Sequence, residues 1–414
     1  MTAKLNICCF SRVNPLQVVK GGMDLHGKLI SQGLVQHGQK LTIISTKKAR
    51  EKRYLELNGI KCHRLIDTEF GARREGWSRE STKKFLELHK INPFDVIWSQ
   101  SFDAFGLVRA REKLSLPVVA TLHGCIEQEL KTFQRNFLLD IGKPAKLARV
   151  FAGLVYSYLI VQKPILKRTD RIITVSSEVT NGLRKFYGEK VVEKCITVDN
   201  GIDLKIFRPD KLIRKKTREE LGIKSDEIVL LCLGRITFEK GYHIAIEAVK
   251  NLIENNYKVK LLIIGSGDYA KILKKSANEN GLMNAIIFEE QVDNADTVQY
   301  YNSADIFLMP TLTVEGLPFV LLEAMACGKP VITSSSCSKL AFNFDERNGI
   351  SIPPGNTKIL TKKIIYLIQR PLVSKQISVN ARRTVEEHYS LNKMVLNSLS
   401  VFKEIVADYS NNIP

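Results

Sequence analysis

With 414 residues, 44% hydrophobic and 25% charged, the chain can fill two cores of roughly 200 residues each, which excludes a disordered or fibrous protein. Its formal charge of +19 is uneven: residues 1–203 carry 34 Lys/Arg against 20 Asp/Glu, the remainder 28 against 23, so the first half is the one that meets an anionic partner. Eight scattered cysteines without a Cys-x-x-Cys pair exclude a disulfide scaffold and point to a reducing cytoplasm, and the longest apolar run, Val150 to Val161, is about 12 residues against the roughly 20 of a spanning helix.

The amino terminus reads as a first strand and not as a signal peptide. Runs rich in β-branched residues at Leu5–Phe10, Leu41–Thr46, Asp95–Gln100, Val118–His123, Arg171–Ser176 and Cys195–Asn200 alternate with loop or helical patterning. That rhythm predicts a doubly wound parallel sheet, in which ligands bind outside the carboxyl ends of the strands. After the first strand, Gly21 and Gly22 lead into a helix; they either let backbone amides approach a phosphate or make a tight turn with no ligand. His123 ends its apolar run at a strand's carboxyl end, where an imidazole either serves structure or hydrogen-bonds a substrate hydroxyl. From Lys131 to Arg171 the chain has nine basic residues, two acids and interleaved aromatics, the pattern of a helix lying on an anionic membrane or of a solvated helix packed on its own domain.

Residues 204–226 contain Pro209 and the basic run Lys211 to Arg218 with no strand pattern, and are assigned as a linker between a first domain, 1–203, and a second, 227–389. The second series of strands is Ile228–Gly234, Val259–Gly265, Ala285–Phe288, Asp305–Pro310 and Pro330–Ser334, so the fold expected is α/β, two Rossmann-like doubly wound parallel-sheet domains facing a central cleft. The final helical stretch, within 390–414, follows the second sheet and can pack on either domain. Arg235, after one strand end, and Lys240, at the next helix start, are two cations matched to a diphosphate or two solvated surface charges. Gly265, in Gly-Ser-Gly-Asp, reads as a tight turn beside the expected site; a dinucleotide motif would need a third glycine and a later acid. The chain has no Asp-x-Asp to cradle a metal, and none is predicted.

The stretch Thr311 to Ser334 has the sharpest boundaries. Pro318 suits a first helical turn and Gly328 a helix end, so a helix is expected from Pro318 to Cys327. Its residues leave no polar face except Glu323, and a buried carboxylate costs several kcal/mol unless a protein group or a ligand satisfies it. Glu315 is a second acid just before the helix.

Taken together, Gly21-Gly22, His123-Gly124, Asn200-Gly201-Ile202-Asp203, Gly234-Arg235 with Lys240-Gly241, Gly265-Ser266-Gly267, and the block from Glu315-Gly316 to Glu323-Ala324-Met325-Ala326-Cys327-Gly328-Lys329-Pro330-Val331 resemble the retaining glycosyltransferases of family GT4, which have the GT-B fold. The resemblance covers most of the chain. It implies that Glu323 binds the ribose of a nucleotide and Glu315 the hydroxyls of the donor sugar. It further implies that Arg235, Lys240 and the amides of Gly22, Phe319 and Val320 hold the diphosphate, that His123 contacts the sugar or the diphosphate-proximal hydroxyl, that the base rests near Gln291 and Val292, and that the final helix returns to the first domain. The chain departs from the family pattern at Asp24, where Glu is common, at Glu290, where glycine is common, and at Ser334 to Leu340, where many relatives carry a glycine-rich loop.

The function expected is transfer of a sugar from a nucleotide diphosphate sugar to a glycan or lipid-linked acceptor, with no cofactor and no nucleic acid, in the cytoplasm or at the inner face of its membrane. Two alternatives compete: a sugar-nucleotide epimerase of the same fold, and a non-catalytic protein binding an anionic polymer, whose binding would be steeply salt-dependent. Glu323 in its apolar helix argues against the latter, because an electrostatic surface has no use for it.

Overall fold

Short β-branched runs separated by helices long enough to cross a sheet produce parallel pairing, and both series of strands in this chain do so. The structure, a computed structural model, describes residues 4–14, 16, 21–47, 51–65, 76–109, 115–124, 126, 130, 144–290, 292–293, 296–337, 344 and 347–411. It divides into two units, Met1–Asp199 with Met394–Pro414, and Asn200–Lys393.

The first unit holds β1 (Asn6–Phe10), β2 (Lys40–Thr46), β3 (Tyr54–Leu57), β4 (Ile60–Leu65), β5 (Val96–Gln100), β6 (Val118–Leu122), β7 (Arg171–Thr174) and β8 (Cys195–Thr197). Their order is β3-β4-β2-β1-β5-β6-β7-β8, and only β3 runs antiparallel, against β4. Every residue of β1, β5 and β6 is buried, as parallel strands covered on both faces require. The β3–β4 hairpin is absent from the expected strands because β3 is almost wholly exposed and carries no apolar run. Its turn was nevertheless written in the sequence: Asn58 and Gly59 both take positive φ, 51° and 77°, the two-residue turn that Asn-Gly favours between strands.

The last helix, Leu391–Asn411, lies on this unit from Met394 onward. Phe402 meets Trp98 edge-on with centroids 5.8 Å apart, and the Tyr409 hydroxyl donates to Asp170 Oδ1 at 3.1 Å. Gly33 has no side chain because Val395 fills the space, 2.3 Å from where a Cβ would stand.

The second unit holds β9 (Ile228–Leu233), β10 (Val259–Ile264), β11 (Ile286–Glu289), β12 (Ile306–Met309), β13 (Val331–Ser334) and β14 (Ile350–Ile352), all parallel in the order β11-β10-β9-β12-β13-β14. The chain steps outward from β9 to β11 and then returns to β12 on the other side of β9. The strand order therefore reverses between β9 and β12, and a crevice opens at their carboxyl ends. β14, three residues long, is too short to announce itself by periodicity.

The expected linker, 204–226, is corrected. Residues from Asn200 belong to the second unit, and Lys211–Glu220 is a helix capped by Asp210, whose carboxylate accepts from the amides of Leu212 and Ile213. Its basic residues have structural work: Arg214 donates to the carbonyls of Asn302, Ser303 and Ala304 at the end of helix Thr297–Ser303, and Arg214 and Arg218 both pair with Asp305. Cations placed at a helix carboxyl end are favourable, which is why a basic run serves here as packing and not as a tether.

Candidate active site

Two loops meet at the reversal of the second sheet. After β9 the chain makes a 3-10 turn, Phe238–Lys240, and after β12 it runs from Pro310 through Glu315 to the helix Phe319–Ala326. Gly241 makes the approach possible: its φ is +71°, and a Cβ there would stand 2.0 Å from the Pro310 carbonyl oxygen. The outcome is an ion pair, Lys240 Nζ to Glu315 Oε1 at 2.8 Å, with the two side chains 19% and 20% exposed. The sequence assigned these residues separate partners, diphosphate and sugar; in the structure they satisfy each other.

The Glu315 loop is held on three sides by groups the sequence reading did not assign. The buried Thr311 hydroxyl lies 3.1 Å from the Glu239 carbonyl and 3.3 Å from Glu315 Oε1, and its single proton serves one of them at a time. The Glu315 amide donates to the Ser336 carbonyl at 3.1 Å, and Asn200 Nδ2 donates to the Leu317 carbonyl at 2.7 Å. Neighbouring Ile202 exchanges backbone hydrogen bonds with the Tyr389 carbonyl and the Leu391 amide, so the Asn200-Gly201-Ile202-Asp203 motif fastens the loop to the end of the second unit. The motif was visible in the sequence; its hydrogen-bond partner more than a hundred residues away was not.

Helix Phe319–Ala326 is apolar and buried around almost its whole circumference, as its sequence requires. Pro318 is its N-cap, in extended backbone, one step earlier than the first-turn position expected for it. The Phe319 and Val320 amides lead the helix with no carbonyl one turn behind them, the arrangement that binds anions. Arg235, exposed at the end of β9, makes no ion pair among the described residues. One exposed cation, one paired cation and two helix-leading amides thus come from the same unit.

Glu323 is 0% exposed, and the protein itself supplies a partner: the buried Tyr301 hydroxyl donates to Glu323 Oε2 at 2.5 Å. Burial first, and then the Glu323 charge, push the Tyr301 hydroxyl's pKa well above its ordinary value, so it stays a donor. Tyr301 is wedged between Phe207 and Phe307, at 6.0 and 5.8 Å between centroids. Nothing in the local sequence marks Tyr301 as the partner of an acid in another helix.

A cavity of about 540 Å³ opens at the carboxyl ends of β10 and β11, with Ser266, Glu290, Val292, Asp293 and Asp296 in its wall. Val292 is where the reading places the nucleotide base, whereas Gln291 lies outside the described residues. Glu290 pairs with Lys274 at 2.6 Å. Gly265 sits at the rim for a packing reason: with φ +131°, a Cβ would stand 2.1 Å from the Gly234 carbonyl oxygen. A second cavity, of about 520 Å³, lies in the first unit beside helix Trp77–Ile91 and is lined by Ser78, Arg79 and Lys83.

In the first unit, Gly21 caps helix Gly22–Gln36 in extended backbone, and a Cβ on it would meet open space, so no protein contact demands glycine there. His123, just beyond β6, donates from Nε2 to the side-chain Oε1 of Gln100 at 3.0 Å and meets His26 edge-on at 4.7 Å. His26, unremarked in the sequence reading, is 1% exposed, and neither ring nitrogen has a hydrogen-bond partner among the described residues. Burial holds the His123 pKa at about 4 in place of 6.5, and burial together with the His123 charge lowers that of His26.

Both rings are therefore neutral at pH 7, and the folded state binds fewer protons than the unfolded one wherever the unfolded histidines titrate. Stability is full above pH 6.5 and falls as the pH drops toward 4, by about 3 kcal/mol for His123. Urea unfolding followed by Trp77 and Trp98, the two tryptophans of the chain and both in this unit, reads the loss. His123→Asn is expected to flatten the slope between pH 6.5 and 4. Identical slopes for parent and variant would refute the assignment.

Two family models match the chain: Glycosyltransferase Family 4 over residues 20–206 and Glycosyl transferases group 1 over residues 213–384. An uncharacterized glycosyltransferase of Methanocaldococcus jannaschii is 24% identical over 93% of this chain and 95% of its own length. The alpha-monoglucosyldiacylglycerol synthase of Streptococcus pneumoniae is 28% identical over 72% of this chain and 64% of its own length. Among solved structures, sucrose-phosphate synthase from Thermosynechococcus elongatus overlays with a TM-score of 0.81 at 19% identity, covering 98% of this chain and all of the other. The Anabaena protein HepE in complex with UDP and glucose overlays at 0.74 and 19%, covering 97% of this chain and all of its own. The chain belongs to the group 1, family 4 glycosyltransferases and has their GT-B fold of two parallel-sheet α/β domains.

Proposed function

We propose that this glycosyltransferase moves a sugar from a nucleoside diphosphate sugar to a hydroxyl of a glycan or lipid-linked acceptor, retaining the anomeric configuration and using no metal. The observation that carries the proposal is the Lys240–Glu315 pair at the β9–β12 reversal, next to Arg235 and the amides of Phe319 and Val320. Breaking a glycosyl–phosphate bond builds negative charge on the leaving diphosphate and positive charge on the sugar. Fixed cations and helix amides stabilise the first, and a carboxylate beside the reacting carbon stabilises the second. In this reading the diphosphate takes Lys240, and Glu315 turns to the sugar hydroxyls.

Glu323, Val292, Gln291 and Gly265 are assigned to the nucleoside, and Gly21, Gly22 and His123 to the diphosphate and sugar, as the family resemblance implies. The leaving phosphate takes the acceptor's proton on the same face of the sugar, so no protein base is assigned. HepE, solved with UDP and with UDP-glucose, supports a nucleotide-sugar donor, as do relatives named GDP-mannose-dependent mannosyltransferases. Relatives named for diacylglycerol and phosphatidylinositol products support a lipid acceptor. The described cysteines are all free, which suits a reducing cytoplasm.

Thermal unfolding with UDP, GDP, ADP and their sugars tests the donor. A ligand at a hundredfold excess over its Kd stabilises by about 2.7 kcal/mol, and one diphosphate with its sugar nucleotide is expected to do so. No shift with any of them at millimolar concentration would sink the reading. NMR of the product's anomeric proton decides retention.

A further inference from the structure

One buried hydroxyl at the crevice of the second unit has no partner in the fold. Gly241, in left-handed backbone, ends the turn Phe238–Lys240 and caps helix Tyr242–Glu254. Tyr242 therefore opens that helix directly behind Lys240, and its ring packs into the core of the unit, where the residue is 2% exposed. Its hydroxyl makes no hydrogen bond among the described residues. A buried tyrosine ordinarily gives its O–H to an acceptor, as Tyr301 does to Glu323, and an unpaired hydroxyl costs stability that a phenylalanine of the same shape would keep. The acceptor for Tyr242 has to come from outside the chain.

Open space lies over that hydroxyl, and a glycine keeps it open. A Cβ on Gly234, which follows β9, would stand 3.3 Å from Tyr242 Oη and 4.0 Å from Val320 Cγ1, with no other described atom beyond the adjoining residues within 4 Å of that point. Any other residue at 234 would lay its side chain across the hydroxyl. The neighbours of this space are Arg235, next in the chain, and Val320, whose amide is one of the two that lead helix Phe319–Ala326. Burial first, and then Cys232 and the Glu315 charge, push the Tyr242 hydroxyl's pKa well above its ordinary value, so it is a neutral donor. Guanidinium, amide and phenol here all donate, and a ligand rich in anionic acceptor oxygens suits all three.

We propose, resting on the sugar-transfer reading, that the Tyr242 hydroxyl is a further donor to the nucleoside diphosphate and serves the phosphate that adjoins the sugar. Only Gly241 separates Tyr242 from Lys240, whose partner Glu315 is the carboxylate assigned to the sugar, so the hydroxyl belongs to the sugar end of the diphosphate. When the bond from sugar to phosphate oxygen breaks, its electron pair stays on that oxygen. The hydrogen bond from Tyr242 strengthens as this charge grows, and the proton stays on the phenol.

Tyr242→Phe removes the hydroxyl and keeps the ring. Calorimetric titration of the full chain with UDP, GDP and ADP, and with the monophosphate of whichever binds, reads the effect. Affinity for the diphosphate is expected to fall about tenfold or more and that for the monophosphate to stay within about twofold, while transfer at saturating donor falls at least about tenfold. The thermal midpoint of the unliganded variant should equal or exceed the parent's, because no protein partner is lost. Placing 3-fluorotyrosine at position 242, a stronger donor of nearly the same shape, should restore diphosphate binding. Equal diphosphate affinity in parent and Phe variant, an equal loss for the monophosphate, or a lowered midpoint would each overturn this proposal alone. A parent chain that binds none of the three diphosphates would overturn the transfer reading together with it.

Discussion

Glu315→Gln is expected to lower sugar transfer by about 10²–10³-fold while leaving nucleoside diphosphate affinity intact or up to about fivefold tighter. The first effect follows from removing the carboxylate that meets the sugar as it becomes positive. The second follows from the 2.8 Å contact to Lys240: a glutamine no longer neutralises that cation, which is then offered to the diphosphate undiminished. The two directions together separate a chemical role from a structural one, since a merely destabilised loop would weaken binding as well. Lys240→Ala is the complementary change, losing diphosphate affinity and leaving the Glu315 carboxylate, among the described residues, with the 3.3 Å contact to the Thr311 hydroxyl. Single-turnover transfer and calorimetric titration of the diphosphate check both. Normal turnover by Glu315→Gln with the cognate donor and acceptor would end the assignment.

Tyr301→Phe is expected to destabilise the second unit by about 2–3 kcal/mol, because it removes a donor from a buried carboxylate while filling the same space. Its effect should be confined to one unit. The two tryptophans lie in the first, so their fluorescence transition should stay where it is while far-UV circular dichroism or amide exchange reports the loss. Glu323→Gln keeps an acceptor for the Tyr301 hydroxyl and should cost less stability. If Glu323 also serves the ribose as proposed, that variant should lose about tenfold in nucleotide affinity. Unchanged amide exchange in Tyr301→Phe would show that the 2.5 Å hydrogen bond contributes nothing to stability.

These two predictions concern contacts that no local pattern could reveal. Lys240 and Glu315 are 75 residues apart, and Tyr301 and Glu323 are 22 apart on different helices. Each residue was recognisable as unusual by itself, as a lone acid in an apolar helix or a cation at a strand end. The first pairing arises because β9 and β12, separated in sequence by two strands, are neighbours in the sheet, and the second because the helices before and after β12 pack on each other. The missed hairpin has a different cause: Asn58-Gly59 was a readable turn, but β3 faces solvent and offers no apolar alternation to announce it.

The sequence by itself determined the alternation of strands and helices, the limits of the Glu323 helix to within one residue, the tight turn at Gly265, and the family. Those are local or nearest-neighbour properties, set by backbone freedom, capping and periodicity. Only the tertiary structure decided that Lys211–Glu220 packs as part of the second unit, that Lys240 holds Glu315, and that Tyr301 satisfies Glu323. It also decided that the apolar run from Val150 turns its face to solvent. The reason is common to all four: a sequence pattern states which side of an element is apolar or charged, and only the sheet order and the neighbours packed on it state what that side meets.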